Sequence, residues 1–315
     1  MRSLFPEDIS SVSLSYRGGS RGSGMPRCGG RYVDEWGCVW DAGENGVVGE
    51  VKNAVIEDWA LLDTLRPPRE ILEGDWPLVD ATRASTDCYI LAVTSVRPFE
   101  RMQFLRGTEN LFMDMAWGDA RFKRLRALVH EFFLEELTLW ISRDVDGISF
   151  MDDWGTQYSL LINPNMWREY FKPLYMEYVR IIHRAGKHAF FHSDGNIEAI
   201  FPDLVEIGVD AINCQLFCMD IEELGRKFKG EITFWGEIDR QKILPFGTPS
   251  DVRAAVMRVR VALENATGGV IAQCEWGNRD PFANIAAVFS AWSDPLASAS
   301  VCASKAAPRG APPTA

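Results

Sequence analysis

The feature that most constrains this chain is a repeated unit in which a helix ends at a glycine and a short apolar strand follows. Residues 121–141 predict a long amphipathic helix, and "DGISFMDDWG" predicts the strand after it. Residues 164–184 predict the next helix, Gly186 ends it, and "KHAFFHSDG" predicts the next strand. Units that recur at roughly 20–35 residues are typical of a parallel sheet built from successive βα units.

The same unit continues toward the C-terminus of the chain. Three further strands are predicted in "DAINCQ", "EITFWGEID" and "GVIAQCEWG", each after a predicted helix. A repeat sustained over this length predicts a (β/α)8 barrel. An open doubly wound sheet is the alternative, but the G-x-G-x-x-G pattern that binds phosphate after the first strand of many such sheets is missing.

The N-terminal third fits the repeat less well. Before residue 100 we predict one barrel strand, in "CYILAVTS", and a hairpin from Val33 to Val51 on either side of "DAGENG". Residues 1–30 are rich in glycine and arginine, so we expect no buried strand there and a barrel that lacks its first strand. The predicted organisation is an irregular segment over 1–30, a barrel domain over 31–296 and a disordered tail over 297–315.

Charge and cysteine content limit the possible partners. A net charge of −11 argues against nucleic acid or an anionic membrane surface as the main partner. No apolar run approaches the ~20 residues that span a bilayer. The seven cysteines follow no paired framework and no secretory leader is evident, so we expect a cytoplasmic protein with reduced thiols.

Polar side chains stand where the predicted strands end, which is where barrel enzymes carry their active sites. They are Asp152, Asp153, His192, Asp194, Cys214, Glu237, Asp239, Cys274 and Glu275. Four of them, His192, Cys214, Glu237 and Cys274, have the side-chain types that bind zinc, and a catalytic zinc keeps one position open. Neighbouring strand ends lie only ~5 Å apart. The sequence therefore predicts a zinc site from these four residues.

Each candidate also has a structural interpretation. A cysteine in an apolar strand commonly fills the core, His192 suits a hydrogen-bonded core position, and Glu237 or Asp239 suits a solvated loop or a helix cap.

The pair Asp152-Asp153 and the nearby tryptophans carry similar alternatives. Adjacent strand residues point to opposite faces, so one aspartate should face the barrel mouth as an acid, a base or a cation ligand. The other should cap a helix or pair with an arginine. Asp194 is a further candidate catalytic carboxylate. Trp154 and Trp276 suit either walls of the site or core packing.

Three stretches resemble the uroporphyrinogen decarboxylase superfamily, in particular its bacterial branch, which includes corrinoid-dependent and cobalamin-independent methyltransferases. They are "VDGISFMDDWGTQYSLLINPNMWREYFKPLY", "IIHRAGKHAFFHSDGNIEAIFPDLVEIGVDAINCQ" and "GEIDRQKILPFGTPSDVRAAV", and the likeness spans about 121–292. The resemblance implies a (β/α)8 barrel. The decarboxylases use no metal and carry an arginine-rich N-terminal motif similar to "MRQAGR", which this chain does not show.

For the methyltransferases the resemblance implies zinc held by a His-x-Cys pair on one strand and a cysteine on the last. His192 and Cys274 match two of these positions, and Asp194 stands where the first cysteine would be. Cys214 and Glu237 would complete the set.

The resulting expectation is a zinc-dependent methyltransferase that acts on a small molecule and moves a methyl group to or from a corrinoid protein or a thiol. One alternative is a uroporphyrinogen decarboxylase in which Asp152 or Asp153 binds pyrrole N–H groups. Another is a truncated or non-catalytic barrel that only binds a small molecule.

Overall fold

The computed structural model describes residues 5–16, 28–46, 49–277 and 279–295. Ten strands lie in these ranges: β1 (Ile9–Val12), β2 (Gly30–Val33), β3 (Val39–Ala42), β4 (Glu50–Asn53), β5 (Tyr89–Val93), β6 (Gly147–Met151), β7 (His188–Ser193), β8 (Ala211–Cys214), β9 (Thr233–Trp235) and β10 (Val270–Ile271). Seven of these strands form one parallel sheet in the order β1-β5-β6-β7-β8-β9-β10.

Helices alternate with the strands of this sheet. The α-helices of the described ranges are α1 (Trp76–Ser85), α2 (Pro98–Arg106), α3 (Thr108–Trp117), α4 (Ala120–Ile141), α5 (Pro164–Tyr170), α6 (Lys172–Arg184), α7 (Phe201–Glu206), α8 (Ile221–Phe228), α9 (Ile243–Phe246), α10 (Pro249–Leu263) and α11 (Phe282–Ser293). Short 3-10 helices cover Trp59–Asp63, Arg69–Glu73, Glu198–Ile200 and Leu216–Cys218. The predicted barrel class is confirmed, with seven strands in its wall among the described residues.

The expectation that residues 1–30 hold no strand is wrong. Strand β1 pairs in parallel with β5, with Ile9 beside Tyr89 and Val12 beside Ala92. Apolar Ile9 and Val12 suit this position, and the glycine- and arginine-rich composition that suggested otherwise belongs mostly to residues 17–27, outside the described ranges. The predicted tail over 297–315 also lies outside them. The sheet has its edges at β1 and β10, which are not paired with each other in the described residues.

The predicted hairpin is present as part of a larger unit. Strands β3 and β4 are antiparallel and flank the "DAGENG" turn, and β2 adds a third antiparallel strand. This small sheet is separate from the barrel wall. Arg101 of α2 joins it to the barrel by an ion pair of 2.8 Å with Asp34.

Strand alternation determines which side chains face the inside of the barrel. Leu91, Phe190 and Ala211 form a small buried cluster with partly buried side chains of β1, β9 and β10, apart from the main core between sheet and helices. Successive strand residues point to opposite faces, so His192 faces the inside two residues after Phe190. Its neighbour Asn213 does so two residues after Ala211. The side chains before and after them face the helices.

Candidate functional site

The two aspartates in the turn after β6 have different surroundings. Asp152 is fully buried, and its carboxylate accepts hydrogen bonds from the backbone N–H groups of Phe99 (3.0 Å) and Glu100 (2.8 Å). The Tyr175 hydroxyl donates a third bond of 2.5 Å. Burial raises the pKa of Asp152 well above its usual value. Asp152 therefore fastens the first turn of α2, whereas Asp153 remains partly exposed at the mouth.

Asp153, His192 and Asp194 bring three donor atoms together. The Nε2 atom of His192 lies 3.6 Å from Oδ1 of Asp153 and 3.7 Å from Oδ1 of Asp194. The three donor atoms all lie within 4.8 Å of one another. The backbone N–H of Asp194 donates to Asp153 Oδ1 at 2.9 Å, which holds the two strand ends together. We call these three residues the Asp-His-Asp cluster.

One oxygen of the cluster is buried without a bond. Oδ1 of Asp194 has no hydrogen-bond partner among the described residues. Buried polar atoms are normally paired, because an unpaired one loses its bond to water without compensation. An oxygen in this state beside an imidazole nitrogen and a second carboxylate fits a cation ligand. One nitrogen and two oxygens suit zinc or a harder divalent ion.

Asn213 fixes the orientation of the histidine. Its Nδ2 group donates to the backbone carbonyl of Trp235 at 2.6 Å, and a carbonyl oxygen can only accept. Oδ1 of Asn213 therefore faces His192 Nδ1, at 2.5 Å, and accepts a hydrogen bond from the Nδ1–H group. In the neutral imidazole this leaves the lone pair on Nε2, the nitrogen that faces the two aspartates. Partners of this kind commonly orient metal-binding histidines.

Arg240 balances part of the negative charge at the mouth. Its guanidinium donates hydrogen bonds to Asp194 Oδ2 and to Glu275. These two interactions of Arg240 connect the loop after β9 to the segments that follow β7 and β10. It leaves Oδ1 of Asp194 directed toward His192.

The other predicted zinc ligands do not join His192. Asp153, His192 and Asp194 form the group of three or more candidate ligands identified in the described residues, and Cys214, Glu237 and Cys274 are outside it. Cys214 follows Asn213, so strand alternation turns its side chain toward the helices, where it belongs to the main core. Cys274 also packs in that core.

Burial is the main influence on the pKa of each of these three groups. Burial, and then the Glu237 carboxylate, raises the pKa of Cys274 to about 12 and that of Cys214 well above its usual value. Both are therefore neutral thiols near pH 7. Burial raises the pKa of Glu237 to about 7, against the opposing effect of Arg240.

The remaining predicted residues have structural contacts. Trp154 is fully buried and stacks on Phe99 at 3.9 Å between ring centroids. Oδ1 of Asp239 accepts the backbone N–H groups of Gln241 and Lys242, as expected for a loop cap. Trp276 is about half exposed.

Sequence reasoning missed Asn213, Arg240 and Glu100. Asn213 stands two residues after Ala211, whose side chain faces the inside of the barrel. This spacing identifies Asn213 as a neighbour of His192 only when the pairing register of β7 and β8 is known. Glu100 lies in the first turn of α2, where its Oε2 is buried without a hydrogen-bond partner in the described part of the chain. Burial raises its pKa to about 7, and Arg97 opposes the rise.

The fold and the site together define a parallel α/β barrel with an acidic, histidine-containing site at the carboxyl ends of its strands. A sequence model of the family described as uroporphyrinogen decarboxylase (URO-D) matches residues 33–293. The chain belongs to this family.

One solved structure in particular shares the fold. A methyltransferase from Methanosarcina mazei superposes with a TM-score of 0.66 at 15% identity, over 82% of this chain and 76% of that one. An endo-beta-1,4-xylanase from Gloeophyllum trabeum has a TM-score of 0.42 at 11% identity, covering 69% of this chain and 79% of its own. The 3-keto-D-glucoside 4-epimerase of E. coli gives 0.43 at 12%, with coverages of 68% and 81%. No curated protein matches the chain.

Within the described ranges, no helix combines the length and the hydropathy that crossing a bilayer requires.

Proposed function

We propose that this chain is a cytoplasmic methyltransferase that uses a divalent metal ion, zinc in the first place, held by Asp153, His192 and Asp194. The methyl group moves to or from a corrinoid protein or a thiol, with a small molecule as the other partner. The observation that carries the proposal is the convergence of the three donor atoms within 4.8 Å. The fold shared with a methyltransferase supports it.

The residues of the cluster have distinct tasks in this proposal. Asp153 and Asp194 supply carboxylate oxygens, and His192 supplies the Nε2 lone pair that Asn213 directs toward them. Arg240 neutralises the second oxygen of Asp194 and leaves Oδ1 for the ion. When bound, the metal supplies Lewis acidity, which lowers the pKa of a thiol or polarises the oxygen of a methyl ether.

The charge of the mouth favours this function over decarboxylation of a porphyrinogen. Such a substrate is a tetrapyrrole rich in carboxylates, and it needs basic residues around it. Among the described residues, Asp194, Glu237 and Glu275 lie around the guanidinium of Arg240, so acidic groups outnumber that cation. Like charges in a partly buried site repel.

Metal analysis tests the proposal. We expect stoichiometric metal in the purified parent protein and loss of that metal in His192→Ala and Asp194→Asn, since each removes one donor. Cys274→Ser should keep the metal because Cys274 lies outside the cluster. Asp80→Asn removes an exposed carboxylate on α1 and serves as a control for charge.

Activity is followed in parallel as the loss of the absorbance of methylcobalamin when a thiol is added. We expect the parent, Cys274→Ser and Asp80→Asn to be active and the two cluster variants to be inactive. A metal-free parent would contradict the proposal and favour the decarboxylase. Equal metal content in His192→Ala and in the parent would exclude the cluster as the site.

A further inference from the structure

A small cleft opens beside the Asp-His-Asp cluster, on the side of β8 and β9. Its accessible volume is about 50 Å³, and Gln157, Gln215, Cys218, Glu237 and Arg240 contribute to its lining. A volume of this size exceeds the space that one water molecule needs and admits a ligand of a few heavy atoms. The backbone N–H of Gly195, next to Asp194, donates to the Gln215 amide at 3.0 Å, so the cleft adjoins the cluster.

Glu237 is the unusual group of this cleft. Its side chain is 2% exposed, and its Oε1 atom has no hydrogen-bond partner among the described residues. Burying a carboxyl oxygen that accepts no hydrogen bond costs free energy, so such oxygens normally have a donor beside them. Since Glu237 lines the cleft, a ligand bound there can supply that donor.

The other groups of the lining narrow the chemistry of the ligand. The Oε1 atom of Gln157 accepts only a weak bond, from the Cys218 thiol at 3.7 Å, and adds a second acceptor. Arg240 donates its hydrogen bonds to Asp194 and Glu275; its charge acts on Glu237, but it donates no bond to Glu237 Oε1. Lys242 is exposed, and its charge is screened by solvent. The group that the buried wall lacks is therefore a hydrogen-bond donor to Glu237 Oε1, and a cationic donor gives the stronger bond to a carboxylate.

We infer that the cleft binds a small protonated amine, whose N–H group donates to Glu237 Oε1 and whose charge keeps that carboxylate ionised. The inference rests on the proposed function, since it gives the chemical class of the small molecule that reacts beside the cluster. Phe217 lines the same cleft, and its ring adds an apolar surface suited to methyl groups on the nitrogen. Burial raises the pKa of Glu237 to about 7, and a cation bound at Oε1 would lower that pKa because an opposite charge favours the ionised carboxylate.

Calorimetric titration of the full chain with trimethylammonium chloride tests this inference. Two matched ligands separate charge from hydrogen bonding: tert-butanol has a similar size and an O–H donor but no charge, and tetramethylammonium has the charge but no donor. We expect trimethylammonium to bind about tenfold or more tightly than either, because a hydrogen bond between charged groups is stronger than a neutral one.

The variant Glu237→Gln removes the charge and keeps the size of the side chain. We expect it to weaken trimethylammonium binding by about tenfold or more. Glu135→Gln makes the same chemical change at an exposed position of α4, where the carboxylate pairs with Arg69, and should bind like the parent. Melting temperatures measured on both variants show whether each is folded.

Two results would overturn the inference. One is equal affinity of the parent for trimethylammonium and tert-butanol, which does not depend on any variant. The other is parent-like affinity in a folded Glu237→Gln. Metal content is measured on the same samples: amine binding without metal would defeat the proposed function alone, and metal without amine binding would defeat this inference alone.

Discussion

Asn213 and His192 show how a single amide can set the properties of a neighbouring imidazole. The amide cannot rotate without losing its bond to the Trp235 carbonyl, so the proton of the neutral imidazole stays on Nδ1. A register shift of one residue in β8 would replace Asn213 by Cys214 at this position. The arrangement therefore depends on the pairing of β7 with β8.

A substitution at Asn213 tests this dependence. Asn213→Leu keeps the approximate volume but removes the acceptor for Nδ1, and we expect metal affinity to fall by about 10–100-fold. Asn213→Asp keeps an acceptor oxygen and should restore most of the affinity. Competition with a zinc-binding dye measures both. Equal losses in the two variants would contradict a role through the histidine and indicate a general effect on packing.

The residue types at the strand ends were predictable from the sequence, but their grouping was not. His192, Asp153 and Asp194 were all candidates, yet the sequence favoured Cys214 and Cys274 as partners of the histidine. Which of two adjacent residues faces the mouth depends on register and on the turn after each strand. Neither can be read from composition.

At the scale of elements, α2 depends on a residue that lies far from it in sequence. Asp152, at the end of β6, accepts the N–H groups of Phe99 and Glu100 and takes the place of a local capping residue. Residue 97, the N-cap position of α2, makes no capping bond through its own side chain. The first turn of α2 and the end of β6 should therefore lose order together.

Replacing Asp152 separates its structural role from catalysis. We expect Asp152→Ala to lower the free energy of unfolding by about 1–3 kcal/mol, because two buried N–H groups and the Tyr175 hydroxyl lose their acceptor. Asp153→Ala should lower stability less, because it removes one hydrogen bond at a partly exposed position, and it should abolish metal binding. Urea unfolding followed by circular dichroism provides the measurement. Parent-like stability of Asp152→Ala would refute the capping role.

The sequence predicted the successive βα units from residue 121 to β10 because each unit repeats the same apolar spacing and glycine stop. It merged α5 and α6 into one helix and did not include α9 or α11. It failed at β1, where four residues in a short polar stretch gain their stability from pairing with β5. It also gave two strands of the small sheet and not the third. Strand β2 has one buried side chain, Tyr32, and little local signal.

At the scale of the whole molecule, the barrel wall has two edges. Strand β10 is only two residues long, and β1 is paired on one side, whereas β6 and β7 are paired on both. We therefore expect amide hydrogens in β1 and β10 to exchange faster than those in β6 and β7. Hydrogen exchange followed by mass spectrometry measures this order. Protection of β10 equal to that of β7 would mean that the sheet is closed in solution.

A side-chain contact joins the segment before β1 to the helix after β10. Phe5, just before β1, stacks on Phe289 of α11 with 5.2 Å between the ring centroids. This contact joins residues near opposite ends of the described chain, so forming it closes a very long loop and costs more entropy than any step between successive βα units. The contact between Phe5 and Phe289 should consequently form last during folding. Mutations of these two residues should speed unfolding while leaving the folding rate nearly unchanged.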